Sequence, residues 1–368
     1  MNKMIVANLV HRPIRSLISI IAIALEVTLI LVLVGICYGI LNDNKTRTMG
    51  IGADAMVRSS NASNILALSA AALPVKVGDI LRKLPHVTQV APVLLQSSTS
   101  GGAIETIYGI DIHNYPLGTP FHYISGGPFQ GPYDIIVDDY FANSKPEKEV
   151  GDKVELLNHT FRICGIVEHG RGGRKFVPLS TLQDLIGAPN KASIFYIKLD
   201  DVKNYDALRN EVLATPGMEQ YQVTSMQEWL SMVTPERLPG FSTAMNVIVA
   251  VGVCIGFIVI FQSMYAAVME RTREIGILKS LGASKAYIVN AILRETVLIA
   301  VAGVIVGIIV SRITGLALHG HFQTLPVEFS GAWVLRATII AIVGAIVGAL
   351  YPAFKAAQKD PIDALAYE

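Results

Sequence analysis

The chain has 368 residues, of which 52% are hydrophobic and 16% are charged, and its formal net charge is +1. Soluble domains carry about 25% charged residues, so this composition predicts a membrane protein with one sizeable soluble part. The balanced charge, and the lack of basic runs with interleaved aromatic residues, give no reason to expect nucleic-acid binding.

The chain begins with a segment at 1–16 that carries basic residues, followed by an apolar run at 17–41. A bilayer span takes about 20 residues, so this run predicts a first transmembrane helix. A cleaved signal peptide is the alternative, but its apolar core has only about 7–15 residues and a small-x-small cleavage site should follow. Neither condition is met, which favours a retained span.

Glu26 is the one acidic residue inside the first span, roughly 14 Å from its start at 1.5 Å per residue. A carboxylate at that depth costs about 2.5–3.5 kcal/mol on insertion scales. We therefore expect Glu26 to face protein, water or substrate. Its role is either a structural polar contact or a part in the substrate path or its gating. Arg294 and Glu295, nearer a membrane surface, are expected to pair or to reach the interface there.

Within the predicted outer domain at 42–240, the pattern between 50 and 225 changes to short β-rich runs separated by Gly, Pro, Asn and Asp. Strands are predicted at HVTQVAPVLLQSST, AIETIYGID, YDIIVDD, KVELLN, HTFRICGIVE and ASIFYIKL, and helices at PVKVGDILRKL and VKNYDALRNEVLAT. The fold class is therefore an α-helical membrane protein with four transmembrane helices plus a mixed α+β extracytoplasmic domain.

The predicted outer domain carries no H-E-x-x-H, G-x-S-x-G or C-x-x-C motif. Asp138 and Asp139 are adjacent, so on a strand they point to opposite faces, and a strand end leading into a helix cap explains them. The basic glycine-rich loop 168–176 is either a solvated loop or a contact site for a partner or substrate. Cys164 is expected to be a buried strand residue, and no metal site is predicted.

Three further spans follow, at 241–268, 287–311 and 333–354, with a predicted outer loop at 312–332 and a tail at 355–368. Each of the four spans contains a G-x-x-x-G, a spacing that lets helix backbones approach closely in lipid. We expect tight helix packing within the subunit or across a homodimer. The glycines are Gly35, Gly39, Gly252, Gly256, Gly303, Gly307, Gly344 and Gly348.

The segment 269–286 between the second and third spans has the pattern of a short amphipathic helix. Opposite charges at a spacing of three (Glu270/Arg273 and Arg271/Glu274) support a helix, and Gly282 is a typical C-terminal stop. An apolar stripe is predicted at Ile275, Leu278 and Leu281. The residues alone allow two interpretations, an anchor in the membrane surface or a helix that docks on a partner.

Lys and Arg residues near the span ends are concentrated in 1–16, 269–286 and 355–368. Positive charge favours the cytoplasmic side. We therefore predict cytoplasmic termini, a cytoplasmic segment at 269–286 and an extracytoplasmic domain at 42–240.

The segment ERTREIGILKSLGASKAYI resembles the signature E-R-x-x-E-I-G-x-x-K-x-L-G-A of the MacB/FtsX-type ABC transporter permeases. The matching residues are Glu270, Arg271, Glu274, Ile275, Gly276, Lys279, Leu281, Gly282 and Ala283. The tail YPAFKAAQKDPIDALAYE is similar to the family's P-A-x-x-A-x-x-x-x-P-x-x-A-L ending. The layout of one span, a large outer domain and three spans also resembles that family, so the resemblance covers nearly the whole chain.

This resemblance implies the permease subunit of a MacB-like exporter, which couples ATP hydrolysis on a separate subunit to export or outer-side handling of substrate by mechanotransmission. It also implies a homodimer with two copies of that ABC ATP-binding subunit, in a bacterial cytoplasmic (inner) membrane. It further implies that the segment after span two docks on that subunit. The candidate docking residues are the nine motif residues named above together with Arg273 and Leu278. The chain lacks G-x-x-x-x-G-K-[ST], so ATP and Mg are expected on the partner and no cofactor on this chain. Other implied contacts are membrane lipid and a periplasmic adaptor.

Three alternatives remain beside an exporter permease. An FtsX-like transducer would activate an extracytoplasmic partner without moving solute, and a Lol-type permease would release lipoproteins. A membrane-bound enzyme is the third, which the missing catalytic motifs disfavour.

Overall fold

The computed structural model of the chain describes residues 13–60, 73–100, 103–234, 237, 240–322 and 324–358. Most of the predicted segments 1–16 and 355–368 lies outside these residues. The chain divides into two compact units. The membrane unit comprises Met1–Gly39, Ser242–His319 and Val327–Glu368, and the sheet unit comprises Ile40–Phe241 and Gly320–Pro326.

The helices of the described residues are α1 (Pro13–Met49), α2 (Lys76–Leu81), α3 (Asp139–Ala142), α4 (Leu179–Leu185), α5 (Tyr205–Ala214), α6 (Met226–Met232), α7 (Phe241–Glu270), α8 (Thr272–Ser280), α9 (Lys285–His321) and α10 (Gly331–Gln358). The strands are β1 (Ala55–Ser59), β2 (Leu73–Pro74), β3 (Val87–Ser100), β4 (Ala103–Ile110), β5 (Tyr123–Gly126), β6 (Asp134–Asp138), β7 (Lys153–Leu156), β8 (His159–Val167), β9 (Lys175–Pro178), β10 (Lys191–Ala192), β11 (Ile194–Leu199) and β12 (Tyr221–Ser225). The strands and helices predicted from the sequence between 42 and 240 are confirmed.

Four helices are long and apolar enough to cross a membrane: Ser16–Met49, Ser242–Glu270, Lys285–Gly320 and Gly331–Gln358. Helices α1 and α9 extend well past the predicted span ends at 41 and 311. A helix satisfies its backbone hydrogen bonds internally, so it need not end where its apolar stretch ends. The predicted loop 312–332 consequently begins as helix.

Two of the G-x-x-x-G pairs bring helices of the membrane unit into close contact with α1. A Cβ at Gly303 would lie 2.7 Å from Ile23 Cβ, and one at Gly307 would lie 2.8 Å from the Ala24 carbonyl oxygen. Gly252 faces Ile30 at 3.8 Å by the same measure. The backbones of α7 and α9 approach α1 where these glycines lack side chains.

The other predicted packing glycines have different surroundings. A Cβ at Gly348 would lie 3.2 Å from the Phe257 carbonyl oxygen, so α10 packs closely on α7 there. A Cβ at Gly35 would lie 3.1 Å from Val327 Cγ1, and Gly39 is buried. A Cβ at Gly344 would meet nothing within 4 Å. On α10 the buried face is instead formed by alanines at a spacing of four, Ala337, Ala341, Ala345, Ala349 and Ala353.

The sheet unit is built on one mixed ten-stranded sheet. Its strand order is β12-β1-β11-β3-β4-β9-β6-β8-β5, and β7 pairs with β8. The β4–β9 and β6–β8 pairs are parallel and the other neighbours are antiparallel. Strands β2 and β10 form a separate antiparallel pair. The predicted mixed α+β domain is therefore confirmed.

Side chains alternate between the two faces of this sheet. On one face, Val90 and Ile197 pack with α2 and α5, while Leu94 and Val137 pack with α3 and α4. The opposite face buries an aromatic cluster that includes Tyr115, where the rings of Phe121 and Phe176 meet at 5.0 Å. Both faces are covered, which gives the sheet unit a core of its own.

Candidate functional site

The segment after α7 forms the short helix α8, which ends on a glycine. The Gly282 N–H donates to the Lys279 carbonyl, and the Ala283 N–H donates to the Leu278 carbonyl. This bond pair is a Schellman motif, whose turning residue adopts a positive φ. Gly282 has φ +93°. The prediction that Gly282 ends this helix is confirmed.

One face of α8 is fastened to the neighbouring helices of the membrane unit. The Arg271 guanidinium, just before α8, lies 3.1 Å from Glu295 Oε2 of α9, with both side chains largely buried. Lys279 Nζ donates to the Ala357 carbonyl of α10 at 3.0 Å. Ile275 packs against a small buried apolar cluster. That cluster comprises Val268, Ile288, Ala356 and Ala357.

The opposite face of α8 is turned away from these helices. Arg273, Glu274 and Ile277 are exposed, and Leu281 is 79% exposed just after the last helical residue. Ile277 and Leu281 are thus two large apolar side chains that the described helices leave exposed. This face is the part of the predicted coupling segment that remains available to a partner.

The structure changes two details of the predicted segment. Residues spaced by three fall about 60° short of a full helical turn at each step, so Ile275 and Leu281 point about 120° apart. Accordingly, Ile275 packs inward, Leu278 is half-buried and Leu281 is exposed. Arg271, a candidate for pairing with a partner subunit, is paired with Glu295 inside the membrane unit.

In the sheet unit, the last turns of α1 (43–49) and the following Gly50 are fastened to the glycine-rich loop 169–174, and we call this contact the junction. Arg47 Nη1 donates to the Gly172 carbonyl at 2.8 Å, and the Gly172 N–H donates to the Arg47 carbonyl at 2.8 Å. Arg171 also donates to the Gly50 carbonyl, at 3.1 Å. The interpretation of this loop as merely solvated is wrong, because its backbone and arginines bind a helix.

Arg174 is the central side chain of the junction. Its guanidinium lies 3.0 Å from Asp43 Oδ2 and 3.3 Å from Asp138 Oδ2, and it donates to the Thr324 carbonyl at 3.3 Å. Asp43 also accepts from Arg47 Nε at 2.9 Å. Arg174 thus joins α1, the end of β6 and the segment after α9 through one largely buried cation.

Asp138 and Asp139 stand where β6 gives way to α3. Asp138 caps that helix by accepting from the Phe141 N–H at 2.8 Å, while Asp139 accepts from the His169 N–H at 2.9 Å. The interpretation as a strand end leading into a helix cap is confirmed. Burial raises the pKa of Asp138 from its ordinary value of 3.8 to about 6, although the Arg174 charge opposes this shift.

This pKa predicts a pH dependence of stability. Between about pH 4 and about pH 6 the folded state holds the Asp138 proton more tightly than the unfolded state, so the free energy of unfolding falls as pH rises through that window. We expect Asp138→Asn to remove this fall, since asparagine keeps the cap acceptor without the charge. The measurement is urea unfolding of the full chain, followed by Trp229 fluorescence in a Trp333→Phe background.

Asp134 provides the control of opposite sign. Burial alone would raise its pKa, but the N–H groups of Gln130 and Gly131 together with Arg162 lower it below 3.8. Its stabilising contribution is therefore present above that value and is lost as pH falls through the lowered pKa. Asp134→Asn should reduce stability at neutral pH. A fall of stability between pH 4 and 6 that persists in Asp138→Asn contradicts the assignment to Asp138.

Glu26 is buried in the membrane unit, with 6% of its surface exposed. It makes no hydrogen bond or ion pair with the residues that the structure describes. Its carboxyl occupies the space left by Gly256, where a Cβ would overlap Glu26 Oε2. Glu26 was expected to face protein, water or substrate, and its carboxyl packs against protein at Gly256. The alternative of a structural polar contact finds no polar partner among the described residues, and a role in the substrate path or its gating stays a prediction.

Within the described ranges, no three His, Cys, Asp or Glu side chains are arranged to hold a metal ion. Cys164 is buried in β8, as predicted. The two features with the most polar contacts described above are α8, anchored on one side, and the junction between the last turns of α1 and loop 169–174.

Two sequence families match this chain. The MacB-like periplasmic core domain matches residues 16–215, and the FtsX-like permease C-terminal domain matches residues 246–361. The first match runs from α1 to the end of α5 and so covers most of the sheet unit, and the second runs from near the start of α7 through α8 and α9 to the end of α10.

Individual relatives are similar over much of this chain. It is 28% identical over 241 residues to the uncharacterized ABC transporter permease YknZ of Bacillus subtilis (strain 168), covering 63% of this chain and 60% of that protein. It is 28% identical over 231 residues to the macrolide export ATP-binding/permease protein MacB of Azoarcus sp. (strain BH72), covering 60% of this chain and 35% of that protein. The matched region thus spans 35% to 60% of these relatives' length.

Proposed function

The chain belongs to the MacB/FtsX-type ABC transporter permeases, and on this basis we propose that it is the permease subunit of an exporter driven by ATP hydrolysis on a separate subunit. The domains that define this family are transmembrane and periplasmic rather than catalytic. In the proposed assembly ATP and Mg bind to the partner, and this chain converts the partner's movement into work on the substrate.

The observation that carries this proposal is the two-sided construction of α8. Its inner face is held by the Arg271–Glu295 ion pair and by the Lys279 hydrogen bond. Because each contact is direct, a displacement of α8 would pull on α9 and α10. Its outer face offers Ile277 and Leu281 to a protein partner. A helix that served only as a membrane-surface anchor would have no need of two polar attachments to its neighbours.

The junction suggests how movement reaches the sheet unit. Helix α1 is continuous from Pro13 to Met49, and its last turns are bound to loop 169–174. We propose that displacement along α1 is passed to the sheet through Arg174 and Arg47. Mechanotransmission of this kind lets substrate be handled by the outer domain.

The proposed assembly is a homodimer of this chain with two ATP-binding subunits, in a bacterial cytoplasmic membrane. Both termini and α8 would face the cytoplasm, as the Lys and Arg distribution favours. A periplasmic adaptor would be a further partner on the outer side. The MacB relative is described as a macrolide export protein, which makes macrolides a reasonable first cargo to assay.

Leu281→Asp tests the docking surface. We expect it to weaken binding of the ATP-binding subunit about tenfold or more, because a charge replaces an exposed apolar side chain that the docked subunit would cover. ATPase stimulation in the reconstituted complex should fall accordingly, with normal membrane insertion. The matched control is Leu213→Asp, an exposed leucine of the sheet unit. Equal stimulation in both variants contradicts docking through α8.

A further inference from the structure

A row of aromatic rings runs along α7 toward its C-terminal end. Phe257, Phe261 and Tyr265 are spaced by four, and their ring centroids lie 6.2 Å apart at each step, with interplanar angles of 24° and 16°. Tyr351 of α10 joins the row, with its centroid 5.8 Å from that of Phe261. Eight residues of helix make this aromatic ladder about 12 Å long.

A lysine stands at the end of the aromatic ladder. Lys355 lies one turn beyond Tyr351 on α10, and its Nζ is 3.3 Å from the Tyr265 hydroxyl. The same ammonium is 5.2 Å from the Tyr265 ring centroid and 5.9 Å from that of Tyr351. The structure shows no carboxylate paired with Lys355 among the residues it describes. The cation, the Tyr265 hydroxyl and the Tyr351 ring therefore come together from two helices.

We propose that this place binds the phosphate of an anionic glycerophospholipid, with an acyl chain along the aromatic ladder. Lys355 would supply the charge, and the hydroxyls of Tyr265 and Tyr351 would donate hydrogen bonds to phosphate oxygens. Phe261 and Phe257, deeper in the apolar part of the helices, would contact the chain. Tyr and Lys are the residues that favour the headgroup level of a bilayer.

A lipid fits this surface better than a soluble protein does. Tyr351 is 56% exposed and Phe257 37% exposed. Phe257 lies thirteen residues before the end of α7 at Glu270, and so about 20 Å along the axis from that end. A partner docking from water would contact the helix ends, whereas an acyl chain lies along the helix axis. A surface with a polar end and an apolar length matches the shape of a phospholipid.

The position gives the lipid a route to influence coupling. Lys355 is two residues from Ala357, whose carbonyl accepts from Lys279 of α8. A phosphate held between α7 and α10 would join the helix that leads into α8 to the helix that accepts the Lys279 hydrogen bond. Lipid binding is measured on the permease alone, without the ATP-binding subunit. A negative lipid result would therefore leave the exporter assignment standing, and a failure of ATPase stimulation would leave the lipid site standing.

The experiment is native mass spectrometry of the purified full chain, equilibrated with mixed micelles of equal phosphatidylglycerol and phosphatidylcholine. We expect retained phosphatidylglycerol to exceed phosphatidylcholine about fivefold, the effect of one lysine near an anionic headgroup. Lys355→Gln should bring the ratio close to one. Tyr265→Phe, which keeps the ring and removes the hydroxyl, should lower the ratio partly while leaving the packing intact.

Lys285→Gln is the matched control, since Lys285 is an exposed lysine in the first turn of α9. It should leave the ratio unchanged. An equal loss in both lysine variants would mean diffuse charge attraction and would overturn the site. An unchanged ratio in Lys355→Gln, or a ratio of one in the unaltered chain, would overturn it as well. So would a loss of dimers in Lys355→Gln without any change in retained lipid, because the surface would then be covered by a second copy.

Discussion

Replacing Arg174 by alanine should lower the free energy of unfolding of the sheet unit by about 3–5 kcal/mol at pH 7, the usual cost of removing one partner from a buried ion pair. The Arg174 side chain is 16% exposed and that of Asp138 is 1% exposed. Without the guanidinium, the Asp138 carboxylate has no charged partner at that distance. Asp43 still has Arg47, so the cost falls mainly on Asp138.

The same variant should be less destabilised at pH 5 than at pH 7. Burial holds the pKa of Asp138 at about 6 even with Arg174 present. At pH 5 the carboxyl of the folded variant therefore carries a proton and no longer requires a cation. Urea unfolding at the two pH values, followed through Trp229 fluorescence, gives the comparison.

Arg162→Ala is the control for this experiment. Arg162 forms an ion pair with Asp134 at 3.0 Å, but its side chain is 54% exposed. We expect a loss of about 1 kcal/mol or less, since water replaces an exposed partner readily. Equal losses in the two arginine variants, or a loss in Arg174→Ala that does not depend on pH, would show that burial at the junction does not determine the energetics.

The second large effect is expected in the membrane unit, at Gly307. A Cβ there would lie 2.8 Å from the Ala24 carbonyl oxygen and 2.8 Å from Val27 Cβ. Neither group is the end of a flexible side chain, so helices α1 and α9 must move apart. Gly307→Val should destabilise the unit by about 1–3 kcal/mol or more. Resistance to unfolding by sodium dodecyl sulfate in mixed micelles measures this loss.

Gly344→Val is the matched control, with the same substitution in a G-x-x-x-G of another helix. A Cβ at Gly344 meets nothing within 4 Å, so a single subunit should tolerate valine there. If Gly344→Val lowers the proportion of dimers and leaves subunit stability unchanged, Gly344 lies at an interface between copies. If Gly307→Val proves as stable as Gly344→Val, the close approach of α1 and α9 is contradicted.

Features that depend on neighbours in sequence were predictable. The four apolar helices follow from run length, and the strands of the sheet unit follow from the alternation of apolar residues. The end of α8 follows from Gly282, because glycine adopts the positive φ that the Schellman turn requires. In each case the cause lies within a few residues of its effect.

The candidate site was only partly predictable, and its errors share one cause. The charges of Arg271 and Glu274 are compatible with an exposed ion pair on one helix. The same local pattern is found when a buried acidic residue of another helix pairs with the arginine instead. Arg271 forms its ion pair with Glu295 of α9 because two buried charges stabilise each other when they pair. The lysine at the end of the aromatic ladder was missed for the same reason, since Tyr265 and Lys355 are 90 residues apart in sequence.

By itself, the sequence determined which segments are long and apolar enough to cross a membrane, which segment folds as a sheet domain and where helix α8 stops. Only the tertiary structure decided that loop 169–174 holds the end of α1, that Glu26 fills the space at Gly256, and which face of α8 remains exposed. Hydrophobic length, alternation and glycine conformation are properties of consecutive residues. The partner of a charge or a glycine is set by which helices and strands pack together, and no local pattern specifies that partner.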